Sequence, residues 1–146
     1  PCGMNCQLCY GYVRKKNRCN GCLRMNNANE PDVWRKCSIV HCEDRAKTAS
    51  GFCYECTRYP CRRLKDLDKR YTTKYGMSML DNLLFIKEKG LEEFVRAEQE
   101  KWKCRNCGAG LSVHRDFCLQ CGNKYRWGKR FAAPVQAQCW FLRYNS

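Results

Sequence analysis

Long apolar runs are missing from this chain of 146 residues. The longest are short stretches such as Leu83-Leu84-Phe85-Ile86, whereas a membrane-spanning helix needs about 20 residues. No transmembrane helix is therefore expected. The start also lacks the basic-then-apolar pattern of a signal peptide. Histidine is scarce, with only His41 and His114 present. Both stand beside cysteine pairs that read as metal sites, so no Cys–His–Asp/Asn set for nucleophilic catalysis can be assembled. No P-loop and no G-x-G-x-x-G loop occurs, which removes the common nucleotide-binding signatures. An enzyme is not expected. Acidic residues are few, 14 against 28 Lys and Arg, for a formal net charge of +14.

What the chain has instead is cysteine. The 15 cysteines are about a tenth of all residues, the level of a disulfide or metal scaffold. Five pairs have the spacing C-x-x-C: Cys6/Cys9, Cys19/Cys22, Cys53/Cys56, Cys104/Cys107 and Cys118/Cys121. Such pairs suit a metal knuckle and rarely form structural disulfides. The odd total and the absence of a secretion signal favour a reducing, cytoplasmic setting with metal-bound thiols. A first residue of Pro rather than Met reads as a truncated or processed start. Metal binding also changes the charge, because cysteines bind as thiolates. A divalent ion on four thiolates carries −2, so three such sites would bring +14 to about +8. The excess is uneven: residues 1–63 hold 12 basic and 5 acidic side chains, residues 64–103 hold 9 and 8, and residues 104–146 hold 7 and 1. The basic excess sits beside the cysteines.

The expected fold is a small metal-dominated α+β chain. Residues 1–61 form an irregular cysteine-rich knuckle module with a thin core of Trp34, Ile39, Val40, Phe52 and Tyr54. A module of this size usually needs staples. Asn26 to Pro31 is turn chemistry, and Pro31 opens a short helix through Trp34. Residues 62–102 carry no cysteine and read as two to three helices, packed on or following that module, as a spacer with its own small core. The first spans about Cys61–Tyr71, with Leu64, Leu67 and Tyr71 on one face. The second starts at Ser78, where Ser78-Met79-Leu80-Asp81 fits a capping box, and stops at Gly90. The third spans Leu91–Trp102, with Leu91, Phe94, Val95 and Trp102 facing inward. Residues 103–125 form a zinc ribbon. Residues 126–146, with the lone Cys139, are a tail with no assignment.

The C-terminal module gives the strongest signal. Cys104-Arg105-Asn106-Cys107-Gly108 is followed, after ten residues between Cys107 and Cys118, by Cys118-Leu119-Gln120-Cys121-Gly122. Each Gly permits a positive φ and lets backbone N–H groups approach the sulfurs. Two facing knuckles supply a closed four-sulfur shell, the mark of a structural rather than a catalytic zinc site. Leu111-Ser112-Val113-His114 is expected as a strand between them, with His114 at the surface. Iron is the runner-up metal. The module resembles rubredoxin-like zinc ribbons.

The N-terminal module offers Cys2, Cys6, Cys9, Cys19, Cys22, Cys37, Cys42, Cys53, Cys56 and Cys61 as ligands, with His41 as an extra one. Neighbouring knuckles suggest Cys6/Cys9 with Cys19/Cys22, and Cys37/Cys42 with Cys53/Cys56. Interleaved pairing is equally open. Cys2-x3-Cys6-x2-Cys9 also matches radical enzymes using S-adenosylmethionine, but those need a β/α barrel and no strand–helix alternation appears. The cofactor is Zn2+ or a [4Fe-4S] cluster.

Cys2-Gly3-Met4-Asn5-Cys6-x2-Cys9, Cys19-Asn20-Gly21-Cys22, Cys37-x4-Cys42 and Phe52-Cys53-Tyr54-Glu55-Cys56-x2-Tyr59-Pro60-Cys61 resemble domain-of-unknown-function family 3795. The resemblance takes in Arg62-Arg63-Leu64 and Tyr75-Gly76-Met77-Ser78, and with the appended ribbon spans residues 2–125. It implies intracellular metal binding and no established activity. The tail departs from the pattern at Cys139, Trp140 and Phe141.

The function expected is a non-enzymatic zinc-stabilised adaptor for nucleic acid or an acidic protein. Arg14, Lys15, Lys16 and Arg18, with Tyr10 and Tyr12 nearby, are the candidate contacts, joined by Arg62, Arg63 and the basic ribbon. The alternative is an iron–sulfur electron carrier.

Overall fold

A computed structural model describes residues 1–22 and 36–125. The turn expected at Asn26–Pro31, the helix from Pro31, the core position of Trp34 and the tail with Cys139 lie outside the described residues. The described chain is mostly helical. A 3-10 turn at Cys6–Leu8 leads into α1 (Tyr10–Val13), and α2 (Glu43–Ala46) precedes a second 3-10 turn at Cys53–Glu55. Three longer helices follow: α3 (Arg62–Tyr75), α4 (Met79–Lys89) and α5 (Leu91–Lys101).

The helix ends follow from local chemistry. α3 runs one turn past the expected Tyr71. Tyr71 and Tyr75 lie one turn apart with rings 5.2 Å between centroids, and Gly76 at φ 62° closes the helix. The Gly76 N–H donates to Thr72 O and the Met77 N–H to Tyr71 O, the paired bonds of a left-handed cap. α4 begins where the capping pattern places it: Ser78 Oγ accepts from the Asp81 N–H at 3.0 Å. Asp68 of α3 reinforces that end, accepting from Ser78 Oγ at 2.9 Å and from the Leu80 N–H at 3.1 Å. A carboxylate at a helix N-terminus also meets the positive end of the helix dipole. α5 differs from its expected inner face. Leu91 in its first turn is 41% exposed, whereas Glu98 is 4% exposed beside Phe94 and Trp102.

Strand is almost absent, which corrects the α+β expectation. Among the described residues there are two isolated bridges, Lys103 with Gly110 and Phe117 with Lys124. Leu111–His114 is not a strand. Its N–H groups and side chains bond to a loop of another segment instead of to a parallel neighbour: Val113 N–H and Ser112 Oγ both donate to Leu8 O, at 2.8 and 3.1 Å.

The helical segment has no private core. One buried cluster joins Leu8, Met77, Met79, Trp102, Leu111 and Val113 with Cys104 and Cys118. A second joins Ile39, Phe52 and Cys53 with Leu64, Leu83, Ile86 and Phe94. The first cluster joins the N-terminal module, the helical segment and the C-terminal module, and the second joins the N-terminal module to the helices. The first residues are pinned onto α4. Gly3 sits at φ 86°, and a Cβ there would meet Met79 O at 2.4 Å. Asn82 Nδ2 donates to Gly3 O at 2.8 Å from a buried position. Buried Arg45 fastens the loop around α2, donating to Val40 O at 2.8 Å and Gly51 O at 3.3 Å. Among the described residues no helix is long and apolar enough to cross a membrane.

Candidate metal centre

Cys104, Cys107, Cys118 and Cys121 converge. Their sulfurs all lie within 4.8 Å of one another. Cys104 and Cys121 are 3.8 Å apart, and Cys107 and Cys118 are 3.6 Å apart. An ion with metal–sulfur bonds of about 2.3 Å has tetrahedral edges of about 3.8 Å, so these spacings fit one ion in a four-sulfur cage.

The cage is built from two copies of one turn. Gly108 N–H donates to Cys104 O at 2.8 Å, and Gly122 N–H to Cys118 O at 2.9 Å. Cys104 N–H donates to Ala109 O at 2.7 Å, and Cys118 N–H to Asn123 O at 2.9 Å. Gly108 and Gly122 have φ of 75° and 72°, the left-handed conformation expected of both. Each turn brings its two cysteines to the same side. The isolated bridges flank the turns and hold their stems together.

Polar hydrogens are aimed at the sulfurs. The Cys107 and Asn106 backbone N–H groups lower the Cys104 pKa. Cys121 is drawn down to about 6 by the Asn106 side chain, the Asn123 N–H and Cys107, with Asn106 Nδ2 at 3.4 Å from its sulfur. The Ala109 N–H pulls Cys107 the other way from its neighbours, but the remaining sulfurs and burial push it up to about 12. Four thiolates cannot share this space without a cation, and hydrogen bonds to the charged form are what a metal-bound thiolate needs. Asn106 is a residue of the candidate site that the spacing does not reveal. Cys104 and Cys118 are buried in the first apolar cluster, while Cys107 and Cys121 face outward.

The N-terminal cysteines are arranged differently. Among the described residues, no three of them have donor atoms mutually within 4.8 Å. Cys2, Cys6, Cys9, Cys19, Cys22 and Cys37 line one cavity of about 520 Å³. There the Cys22 thiol donates to Cys6, which draws the Cys6 pKa down to about 6 and raises that of Cys22. Burial raises Cys2 and Cys9, with Cys37 and Cys6 adding to the first and Cys6 and Cys19 to the second. Cys53 is pushed up to about 11 by burial, then by nearby Cys2, Cys61 and Cys42. The turn at Cys53–Glu55 brings Cys56 back so that its N–H donates to Cys53 O at 3.1 Å. His41 is exposed and enters no donor group within 4.8 Å among the described residues.

His114 is half-buried and not at the surface as expected. Its Nδ1 accepts from the Tyr10 N–H at 3.2 Å. The neutral ring therefore carries its proton on Nε2 and donates it to Tyr71 Oη at 2.9 Å. Arg115 lies over the Tyr10 ring at 3.8 Å, a cation–π contact. These bonds fasten the four-cysteine segment to α1 and to the basic loop after it. In that loop Lys15, Lys16 and Arg18 are exposed. Arg18 stacks on Tyr12 at 4.6 Å, and Arg14 Nε donates to Asn17 O at 2.8 Å.

The fold and this centre define a cysteine-rich chain with four thiols positioned to hold a metal ion. No family model matches it, and neither the curated proteins nor the solved structures contain a match.

Proposed function

We propose that the chain is a non-enzymatic, zinc-stabilised adaptor that acts in a reducing compartment and binds the phosphate backbone of a nucleic acid. Zn2+ fills the four-cysteine cage as a zinc ribbon, a closed site whose role is to hold shape. The resemblance to domain-of-unknown-function family 3795 supports the metal-binding part of this reading through its cysteines.

One observation carries the partner. The basic loop of Arg14, Lys15, Lys16 and Arg18 is fixed beside the four-cysteine segment by the Tyr10–His114 and Tyr10–Arg115 contacts. Residues 1–22 contain no Asp or Glu. The basic loop thus lies near the basic C-terminal module, and Arg18 already stacks on Tyr12 there. Exposed lysine and arginine neutralise phosphates.

The test is fluorescence anisotropy with a labelled single-stranded oligonucleotide across a salt series. Each phosphate contact adds about −0.7 to the slope of log affinity against log salt. A triple variant, Lys15→Ala with Lys16→Ala and Arg18→Ala, should make that slope shallower by about 2. Affinity indifferent to salt would sink the proposal, and binding only to an acidic protein would redirect it.

A second reading, an iron–sulfur electron carrier, draws on the cavity lined by six thiols.

A further inference from the structure

Six thiols around one enclosure exceed what a single ion can use. A structural ion takes four sulfurs with edges near 4 Å, as the C-terminal cage does. Cys2, Cys6, Cys9, Cys19, Cys22 and Cys37 surround a shared void of about 520 Å³, yet no three of their sulfurs lie mutually within 4.8 Å. The six thiols thus share one space while their sulfurs stand wider apart than the cage of one ion.

We propose that these six cysteines form a polynuclear metal centre, in which at least two metal ions bridged by sulfur share the cavity, separate from the four-cysteine site. The bridging sulfur is the inorganic sulfide of an iron–sulfur cluster, because a pair of ions bridged by thiolates would need the same edges of about 4 Å as the C-terminal cage. A [4Fe-4S]2+ cluster on four thiolates carries a charge of −2. The cavity wall answers that charge: Lys36, Arg63 and Arg70 line it against a single carboxylate, Asp66. Arg63 is also held in place, with Nη1 donating to Ser38 O at 2.6 Å. All three cations are exposed, so solvent screens what they contribute to holding that charge. The proposal is independent of the nucleic-acid reading, since it concerns what fills the cavity and not what the outer surface binds.

The experiment is elemental and sulfide analysis of the full chain purified without oxygen, compared with a Cys6→Ser, Cys22→Ser double variant. Loss of two or more metal atoms per chain in the variant, with one ion retained by the C-terminal cage, is the expected result. Loss of one or none overturns the proposal. Should the variant fail to fold, X-ray absorption on the wild-type protein decides, because bridged ions give a metal–metal scattering path and isolated ions do not. Its absence overturns the proposal. Iron with acid-labile sulfide is the expected composition of the lost metal, and zinc without sulfide overturns the proposal.

Discussion

The Tyr10 backbone N–H donates to Nδ1 of His114, 104 residues further along the chain. The bond requires a neutral imidazole, and the surroundings enforce one. Burial lowers the His114 pKa first, and Arg115 and Arg70 lower it further. Tyr71 and Tyr75 pack edge-on against the ring. The folded pKa thus lies below the unfolded value of about 6.5. The stabilisation is complete above that value and is lost as pH falls through the lower folded pKa. Replacing His114 with Phe should cost about 1–3 kcal/mol at pH 7.5, because the Tyr10 N–H loses its acceptor. The difference between the two proteins, read by denaturant unfolding, should shrink at acid pH. A gap that stays constant across the series would show that His114 does not titrate as described.

Removing the metal should affect far more than the cysteine turns. Cys104 and Cys118 belong to the same buried cluster as Leu8, Met77, Met79 and Trp102. One structural zinc site supplies about 10–16 kcal/mol, comparable to the whole stability of a domain, about 5–15 kcal/mol. A strong chelator should therefore cause a cooperative loss of circular dichroism and a lower melting temperature. The N-terminal module, with its thin core, should be unfolded without metal. Retention of the full spectrum after verified metal loss would show that apolar packing suffices. Cys104→Ser should act in the same direction as the chelator. Thiolates must be deprotonated to bind, so acid should mimic chelation as well.

Much of this is legible in the sequence. Ser78 and Gly90 bracket α4 because capping chemistry is local, and the four C-terminal cysteines converge because C-x-x-C-G encodes a turn in five residues. Long-range polar contacts left no such trace. The bond between Tyr10 and His114 and the bond from Asn82 to Gly3 join distant segments, and neither residue type in isolation announces a partner. The strand expected at Leu111–His114 failed for a similar reason. Its alternation of apolar and polar residues is real, but Ser112 and Val113 spend their donors on Leu8 O. Glu98 was invisible because helical spacing is read from apolar residues, and a carboxylate on the buried face breaks that pattern.

Gly3 offers a sharp test of how the N-terminal loop sits on α4. Its φ of 86° disfavours any L side chain, and an added Cβ would lie 2.4 Å from Met79 O. The obstacle is backbone, which cannot swing aside like a side chain. Gly3→Ala should destabilise by about 2 kcal/mol or more, from positive-φ strain and displacement of the loop together. Because Cys2 moves with that loop, metal content should be measured alongside unfolding. A variant as stable as the parent would mean that the loop rests elsewhere.

Glu98 makes the opposite prediction, a polar change that stabilises. Its carboxyl is buried, and burial raises its pKa against the opposing pull of Lys101 and Trp102. Lys101 Nζ stands 3.4 Å away and is itself partly exposed, so solvent weakens what it returns. A carboxyl with a raised folded pKa stabilises the protein fully only while it is protonated in both states. That contribution is lost as pH climbs from about 4.3, the unfolded value, through the higher folded one. At pH 7 the buried charge is a cost. Glu98→Gln keeps the shape and an acceptor oxygen while removing the charge. It should raise stability at pH 7 by on the order of 1 kcal/mol, and the gain should vanish below about pH 4. Thermal unfolding of both proteins at the two pH values measures it. A Gln variant less stable than the parent at pH 7 would mean that the ion pair with Lys101 outweighs desolvation, and that α5 holds its charge by design of the helix face and not in spite of it.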